Sequence, residues 1–585
     1  MSLKLSDTEK ALLFLYTHGI GKIRALKIYK KYGHNTINVV KNDPYKLSTD
    51  ILGIGFKIAD NLATNLGVKK NSIKRIESGI KYILQKYVFE GHCAIEKMDL
   101  IKSVQKLLNI HEQFIITVID NLVNNNQFIL EKIYEKEYLF SYFLYQEELN
   151  IAIKIRKLQN GSPPWGNINY FNALKWVENI NKINLSPSQK DAINIVLKEK
   201  VVILTGGPGV GKTTIVNSLL KIILAKKMKI SLCAPTGRAA KRLRELTNYN
   251  AKTIHKLLEY DIQTKKFKYN QYNNLLTDLV IVDEISMVDI SLWYNLIISI
   301  PIHASLLMIG DIDQLPSIGP GLILSDMIKS KVIKVIYLKE IFRQVFDSQI
   351  IINAHRINQG LFPDFNSRDF YFIKENNIND IQKKIISLAI HDIPQKFGFD
   401  TKRDIQILTP MNKGPIGSII LNNLLQSKLN ISNYQLNKFG TFFVKGDKIV
   451  QNNNNYEKGV FNGDIGFITE INSKENVVFI DFNNLLVKYN FNELDEITLA
   501  YATSIHKSQG SEYPVVIIPI IIQHYMLLAR NLLYTAITRG TKLVIIIGQK
   551  KALTIAIKNS SIQKRITSLQ IRLHDCKEYD KNQGI

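Results

Sequence analysis

VVILTGGPGVGKTTIVNSLLKIILA, residues 201–225, decides the fold. VVILT is a short apolar run with the β-branched bias of a buried strand. GGPGVGKT, Gly206 to Thr213, matches the pattern G-x-x-x-x-G-K-[ST]. KTTIVNSLLKIILA then takes up a helical period. Strand, glycine loop and helix in that order make a phosphate-binding loop. The glycines let backbone N–H groups close on phosphate oxygens, the lysine reaches the β- and γ-phosphates, and the hydroxyl holds Mg²⁺. Gly207, Pro208, Gly209, Val210, Gly211, Lys212, Thr213 and Thr214 are therefore the expected ATP contacts, with Thr213 on the metal ion.

Working outward, DLVIVDEISMVD (278–289) is an apolar strand that delivers Asp283 and Glu284 at its carboxyl end, where ligands sit in parallel sheets. Asp283 is expected to hold Mg²⁺ and Glu284 to position or activate the attacking water. ISLCAP, SLLMIGD and VIKVIYL are further strands, and the alternation with helices predicts a parallel sheet covered by helices. It resumes at DIQILTP (404–410), YPVVIIPII (513–521) and TKLVIIIG (541–548). Between them, residues 436–495 switch to short strands set off by Gly and Asn, which fits a small inserted barrel. EYDIQTKKFKYNQY (259–272) reads as a basic hairpin inserted in the first sheet domain.

Upstream, YTHGIGKIRALKIYKKYG (16–33) and ILGIGFKIADNLATNLGV (51–68) each place Gly-Ile-Gly between two apolar-periodic segments. Each reads as helix, tight turn, helix. Gly19, Gly21, Gly53 and Gly55 would turn backbone N–H groups toward phosphates, with Lys22, Arg24 and Lys57 adding charge. Residues 69–160 read as mostly helical, with strand character in QFILEKIYEKEYLFSYF (127–143). NGSPPWGNIN (160–169) is rich in Gly, Pro and Asn and reads as a linker.

The chain has 585 residues, more than one core serves, and a net charge of +25. That charge favours a polyanionic partner, nucleic acid before membrane. Cys93, Cys233 and Cys576 are too scattered for a disulfide framework or a zinc site. The start MSLKLSDTEKALLFLY lacks a signal-peptide layout, and no apolar run is long enough for a bilayer. A soluble cytoplasmic protein is expected.

A phosphate loop with an acidic strand end does not by itself choose a function. The ordered set around it does: LSPSQKDAI (185–193), APTGRAAKRL (234–243), TIHKLL (253–258), GDIDQLPSIGPG (310–321), LKEIFRQ (338–344), ATSIHKSQGSEYP (502–514) and LLYTAITRG (532–540). The set resembles superfamily 1 helicases over nearly the whole chain. Within them, GDIDQLPSIGPG, TPMNKGPIG (409–417) and FNGDIGFI (461–468) resemble the RecD-like branch, and the paired Gly-Ile-Gly elements resemble the helix-hairpin-helix pair of its stand-alone members. Such members usually carry a further N-terminal region, including an OB-like fold, ahead of these hairpins.

The resemblance implies an α/β protein with two RecA-like P-loop motor domains, an N-terminal helical helix-hairpin-helix region and an inserted SH3-like β-barrel. The expected divisions are 1–67 paired hairpins, 68–160 helical domain, 161–184 linker, 185–345 first motor domain, 346–435 and 496–555 second motor domain, 436–495 barrel and 556–585 tail. It implies that Gln189 reads adenine, Gln314 senses the γ-phosphate, and Arg343 and Arg539 reach that phosphate from the second motor domain. Gln509, Gly510 and Glu512 would meet nucleotide or cleft groups. Thr236, Gly237, Arg238, Thr253 and His255, with Thr503 and His506, would meet DNA, and hairpin 259–272 would be the strand-separating pin. The implied activity is ATP- and Mg²⁺-dependent 5′ to 3′ DNA unwinding in repair or recombination. Its implied partners are single-stranded DNA, single-strand/duplex junctions and single-strand-binding or repair proteins, with the chain a monomer. The rival reading is a DNA-dependent ATPase serving as a non-unwinding subunit of a repair complex.

Overall fold

The structure, a computed structural model, describes residues 6–51, 53–133, 135–261, 263–338, 340, 348–365, 368–430, 436–455, 457–560 and 564–582, except the side chains of 576–582. These form two compact units. One holds the chain up to Leu149 together with Gly319–Gly321 and Arg565–Ser568; the other holds the remainder.

In the first unit, both Gly-Ile-Gly elements fold alike. Gly19 and Gly53 take φ of 89° and 93°, a region open to glycine at little cost. Ile20 and Ile54 are buried and pin each turn to the hairpin core. Gly21 and Gly55 cap the helices Lys22–Tyr32 and Phe56–Asn65, leaving first-turn N–H groups without a side-chain cap. Lys22, Arg24 and Lys57 are exposed beside them. Helices Ile73–Phe89, Lys97–Leu108 and Glu112–Asn124 follow, with a three-stranded antiparallel sheet of Ala94–Glu96, Lys136–Ser141 and Phe128–Ile133. The C-terminal segment completes this unit: Cys93 N donates to Ile566 O at 2.8 Å, and Arg565 Nη1 donates to the carbonyls of Gly319 and Gly321, each at 2.9 Å.

The second unit contains two parallel sheets. The first has the strand order Lys334–Tyr337, Val201–Thr205, Ser305–Gly310, Leu279–Val282, Ile230–Ala234, Ala251–Thr253. All neighbours are parallel, so the loops after Thr205, Ala234, Val282 and Gly310 emerge at one edge. The central strands are buried throughout, which explains their unbroken apolar runs. Residues 161–184, expected as a linker, are instead part of this domain. Helix Tyr170–Asn181 puts Leu174 and Val177 into the same core as Val202 and Leu204. Trp165 is also buried there, its indole N–H donating to Leu197 O at 2.9 Å. The Gly/Pro signal marked a bend, and the apolar positions after it belong to the sheet's cover.

The second sheet orders Phe370–Lys374, Gly540–Gly548, Tyr513–Ile520, Ile405–Thr409 and Ala502–Ser504, again all parallel. Between Thr409 and Ala502 the chain leaves the sheet and builds the SH3-like insertion. Its antiparallel strands run Leu486–Asn490, Val477–Asp481, Ile465–Asn472, Lys448–Gln451, Ile497–Leu499. Asp447 anchors it. Fully buried, this carboxylate accepts from Asn430 at 2.7 Å, Gln426 at 2.5 Å, Val444 N at 2.7 Å and Tyr501 Oη at 3.0 Å. Residues 556–585, expected as a tail, include helix Leu569–Asn582, with Leu569 and Leu573 fully buried.

Candidate nucleotide and nucleic-acid sites

The phosphate loop sits between the Val201–Thr205 strand and helix Lys212–Ala225. Gly209 and Gly211 have φ of 76° and 77°, conformations the motif needs glycine to reach. Lys212 Nζ folds onto the loop, donating to Gly206 O and, at 3.0 Å, to Gly207 O. Thr213 and Thr214 are half-buried in the first helical turn.

Asp283 and Glu284 end the Leu279–Val282 strand. Burial, and then the neighbouring Glu284 charge, raise the Asp283 carboxyl above the ordinary range, while Lys212 pulls it down. Glu284 has φ 52° and ψ 40°, a left-handed conformation rare for a residue with a side chain, and its N–H donates to Asp283 Oδ1 at 2.8 Å. Strain of this kind persists where the surroundings impose it and clusters at working sites.

The second sheet domain faces this loop directly. Tyr534 Oη donates to Asp311 Oδ2 at 2.8 Å, and Gln314 Nε2 donates to the same oxygen at 3.2 Å. Gln314 Oε1 is buried with no hydrogen-bond partner among the described residues. With Ser286, Asp313 and Arg530 it lines a cavity of about 210 Å³. Arg539 is 3% exposed and held by its own domain, donating to Thr535 O at 3.2 Å and Ser511 O at 3.1 Å. Arg343 lies outside the described residues.

Several expected ligand contacts have other partners here. Gln189 is buried, and its side-chain oxygen accepts from Ser186 N at 3.1 Å as half of a capping box that starts helix Pro187–Lys198. Next to it, Ser188 Oγ donates to Glu340 Oε2 at 2.6 Å. Gln509 Nε2 donates to Leu315 O at 2.8 Å. Gly510 and Glu512 join Arg238 and Arg242 in the wall of a second, much larger cavity of about 1300 Å³.

That cavity is bounded by the first sheet domain, the insertion and the second sheet domain. Its lysines and arginines, among them Lys241, Arg242, Arg244, Lys252 and Lys256, outnumber its carboxylates. Arg238 Nη1 donates to Ser511 Oγ at 2.6 Å and Tyr513 Oη at 2.8 Å. Arg242 pairs with Glu512 at 2.5 Å. Thr236 and Thr253 both line up at helix starts, accepting from Ala239 N at 3.2 Å and Lys256 N at 3.1 Å. Thr253 lines the cavity; Thr503 is buried on its strand, and His506 is half-buried in the turn after it. Gly237 is pressed by Phe461 of the insertion, whose Cβ lies 2.5 Å from where a Cβ on Gly237 would stand.

His255 lines the same cavity but packs against the inserted hairpin, with ring centroids 5.8 Å from Tyr260 and 5.7 Å from Phe267. Burial lowers its pKa. The hairpin itself is small: Tyr260–Asp261 pairs with Lys266–Phe267, and Lys268 bridges Glu259 at 2.6 Å.

A phosphate loop on one parallel sheet, facing a second parallel sheet across a cleft, defines the two-domain P-loop motors. Known proteins narrow this. Residues 4–94 match the ATP-dependent RecD2 DNA helicase HHH domain, 189–320 an AAA domain, 421–482 the ATP-dependent RecD-like DNA helicase SH3 domain, and 499–547 the UvrD-like helicase C-terminal domain. The chain is 29% identical over 560 residues to the ATP-dependent RecD2 DNA helicase of Deinococcus radiodurans, covering 93% of this chain and 76% of that protein. It is 28% identical over 569 residues to the RecBCD enzyme subunit RecD of Buchnera aphidicola subsp. Acyrthosiphon pisum, covering 82% and 91%. A crystal structure of a Bacteroides Pif1 helicase aligns at TM-score 0.43 and 20% identity over 69% of this chain and 98% of that one. The chain is thus similar to the RecD-like ATP-dependent DNA helicases, matching the hairpin domain of the RecD2 helicases and the SH3 domain of the RecD-like ones.

Arg242, Ser511, Tyr513, Tyr534 and Phe461 were not singled out by sequence reasoning. Their partners lie on other elements up to hundreds of residues away, and no local pattern marks them.

Proposed function

We propose that the chain is a 5′ to 3′ DNA helicase that moves on single-stranded DNA and works in DNA repair or recombination in the cytoplasm. One observation carries the reading. The second sheet domain meets the first over the phosphate loop through Tyr534, at Leu315 through Gln509 and Thr535, and at the basic cavity through Arg238 and Arg242. A change at the nucleotide is thereby connected to a change at the polyanion wall.

Lys212 and the loop N–H groups hold the β- and γ-phosphates. Thr213 and Asp283 pair a hydroxyl with a carboxylate, a donor set that fits Mg²⁺ with water completing its shell. Held by these two residues, a Mg²⁺ ion would supply positive charge against the phosphates. Glu284 orients the attacking water. Arg539, and by resemblance Arg343, supply positive charge from the second domain to the transition state. Gln314 senses the terminal phosphate from its bond to Asp311. Closure and release of the cleft then alternate the grip of the two domains on the strand. The cationic cavity binds the sugar-phosphate backbone without reading sequence, as movement along any strand requires. The exposed N–H groups at Gly21 and Gly55 add backbone contacts upstream, and hairpin 259–272 divides the duplex.

The test is strand release from partial duplexes carrying a 5′ or a 3′ tail, with ATP, Mg²⁺ and Lys212→Ala as control. Release from the 5′-tailed duplex alone is expected. Release from the 3′ tail would overturn the polarity. DNA-stimulated hydrolysis with no release from either would favour the non-unwinding subunit.

A further inference from the structure

Gly207 is the second residue of the phosphate loop, and Lys212 Nζ rests on its carbonyl. Since this lysine is the group that reaches the β- and γ-phosphates, Gly207 marks the terminal-phosphate end of the loop. Two side chains of the second sheet domain reach that point. A Cβ on Gly207 would lie 2.9 Å from Tyr534 Oη, 3.2 Å from His355 Cε1 and 3.6 Å from His355 Nε2. Tyr534 already has a partner in Asp311. His355 does not use Nε2: that atom is buried with no hydrogen-bond partner among the described residues.

A buried ring nitrogen without a partner is costly, and native proteins rarely keep one without a use. The ring's placement is not loose. His355 lies in helix Gln349–Asn358, whose Ile350, Ala354 and Ile357 are packed in the second domain's core. Burial lowers the imidazole's pKa, opposed by the charge of Asp311. The ring is thus neutral near pH 7, with one N–H to give, and Nε2 is the nitrogen facing the loop.

We propose that His355 is a nucleotide-binding residue of the second sheet domain, donating its Nε2–H to an oxygen of the terminal phosphate of ATP. The inference rests on the proposed reading only in taking ATP as the nucleotide. ADP lacks the accepting oxygen, so the interaction separates the two nucleotides. It also gives the second domain a neutral donor at the loop, distinct in kind from the arginine charges.

The test is fluorescence titration of wild-type protein, His355→Leu and His355→Gln with a non-hydrolysable ATP analogue and with ADP. The leucine variant is expected to weaken the ATP analogue about tenfold, the order of a hydrogen bond to a charged group, with ADP affinity held within about twofold. Glutamine, which keeps a donor at similar reach, should recover most of the loss. Equal weakening of both nucleotides, or none, would overturn the proposal. If the leucine variant does not fold, His355→Phe makes the same comparison while keeping the ring's bulk. Wild-type protein that prefers ATP but releases no DNA strand would remove the helicase reading and leave the nucleotide ratio to judge His355. An unchanged ratio in a chain that unwinds DNA would remove His355 alone.

Discussion

Gln509 Nε2 donates to the carbonyl of Leu315 at 2.8 Å, from the second sheet domain onto the residue that follows Gln314. The other backbone group of Leu315 is held as well: its N–H donates to Thr535 Oγ1 at 2.9 Å. Both polar groups of one buried residue are therefore satisfied by side chains of the opposite domain. Movement at Gln314 cannot leave the second domain where it was. Gln509→Ala strands a buried carbonyl and cuts this link without touching the phosphate loop. The expected outcome is ATP affinity close to wild type with DNA-stimulated hydrolysis down about tenfold, the order expected for one lost buried hydrogen bond. Steady-state hydrolysis with and without single-stranded DNA, beside a nucleotide titration, checks it.

Gly237→Ala should act at the DNA side instead. The new methyl would meet Phe461 Cβ at 2.5 Å, a backbone-proximal atom that cannot swing aside. The insertion must shift, at a cost of about 1–3 kcal/mol for overpacking. DNA affinity measured by fluorescence anisotropy is expected to fall several-fold while nucleotide affinity holds. An unchanged DNA affinity would mean that Phe461 does not shape the cavity.

Asp60 holds the hairpin region to the following helix. It accepts from Arg75 Nε at 2.8 Å, Arg75 Nη2 at 2.9 Å and Tyr45 Oη at 2.8 Å, with both charged side chains largely buried. Asp60→Ala leaves the guanidinium without its counter-ion, and breaking a buried pair in this way costs about 3–5 kcal/mol. Faster hydrogen exchange at the amides of Phe56–Asn65 in the intact chain is the expected readout.

Lys448 gives a pH dependence with a defined sign. It is 2% exposed, its ammonium donates to Ile405 O at 3.1 Å, and burial followed by repulsion from Arg238 pushes its pKa down to about 7. The unfolded chain keeps this proton up to about pH 10.4, so between these values the unfolded state binds more protons than the folded one. The contribution of Lys448 to stability therefore rises with pH through that window and is lost as pH falls toward 7. Lys448→Met removes the slope. Urea unfolding at pH 7 and pH 9 should show wild type gaining on the variant at the higher pH; parallel changes in both would contradict the assignment.

The sheets and the phosphate loop were legible because their signals are local. VVILT, LVIV and SLLMIG are buried on both faces, so the apolar runs are unbroken, and the glycines of residues 206–211 are fixed by backbone geometry. The helix at 170–181 was not legible, because Pro163, Pro164 and Gly166 resemble a boundary and only the sheet beyond them gives Leu174 and Val177 somewhere to go. The polar residues of the site were legible as a set but not one by one. Ser186 and Gln189 satisfy a capping box, where the family resemblance implied a base-reading glutamine. Glu512 finds Arg242, and Ser511 finds Arg238, across a cleft that no local pattern describes.

The N-terminal unit is synthesised before both parallel sheets and is among the last parts to be finished. It includes Arg565 to Ser568: Ile566 O receives Cys93 N, and Ser568 N reaches the buried carboxylate of Glu148 at 3.2 Å. At ordinary rates of translation, the ribosome takes on the order of a minute to pass from Leu149 to Arg565. During that interval Ile566 and Ser568 have not yet joined the unit. An interruption of synthesis before Arg565 would leave this unit, made ahead of both sheets, incomplete.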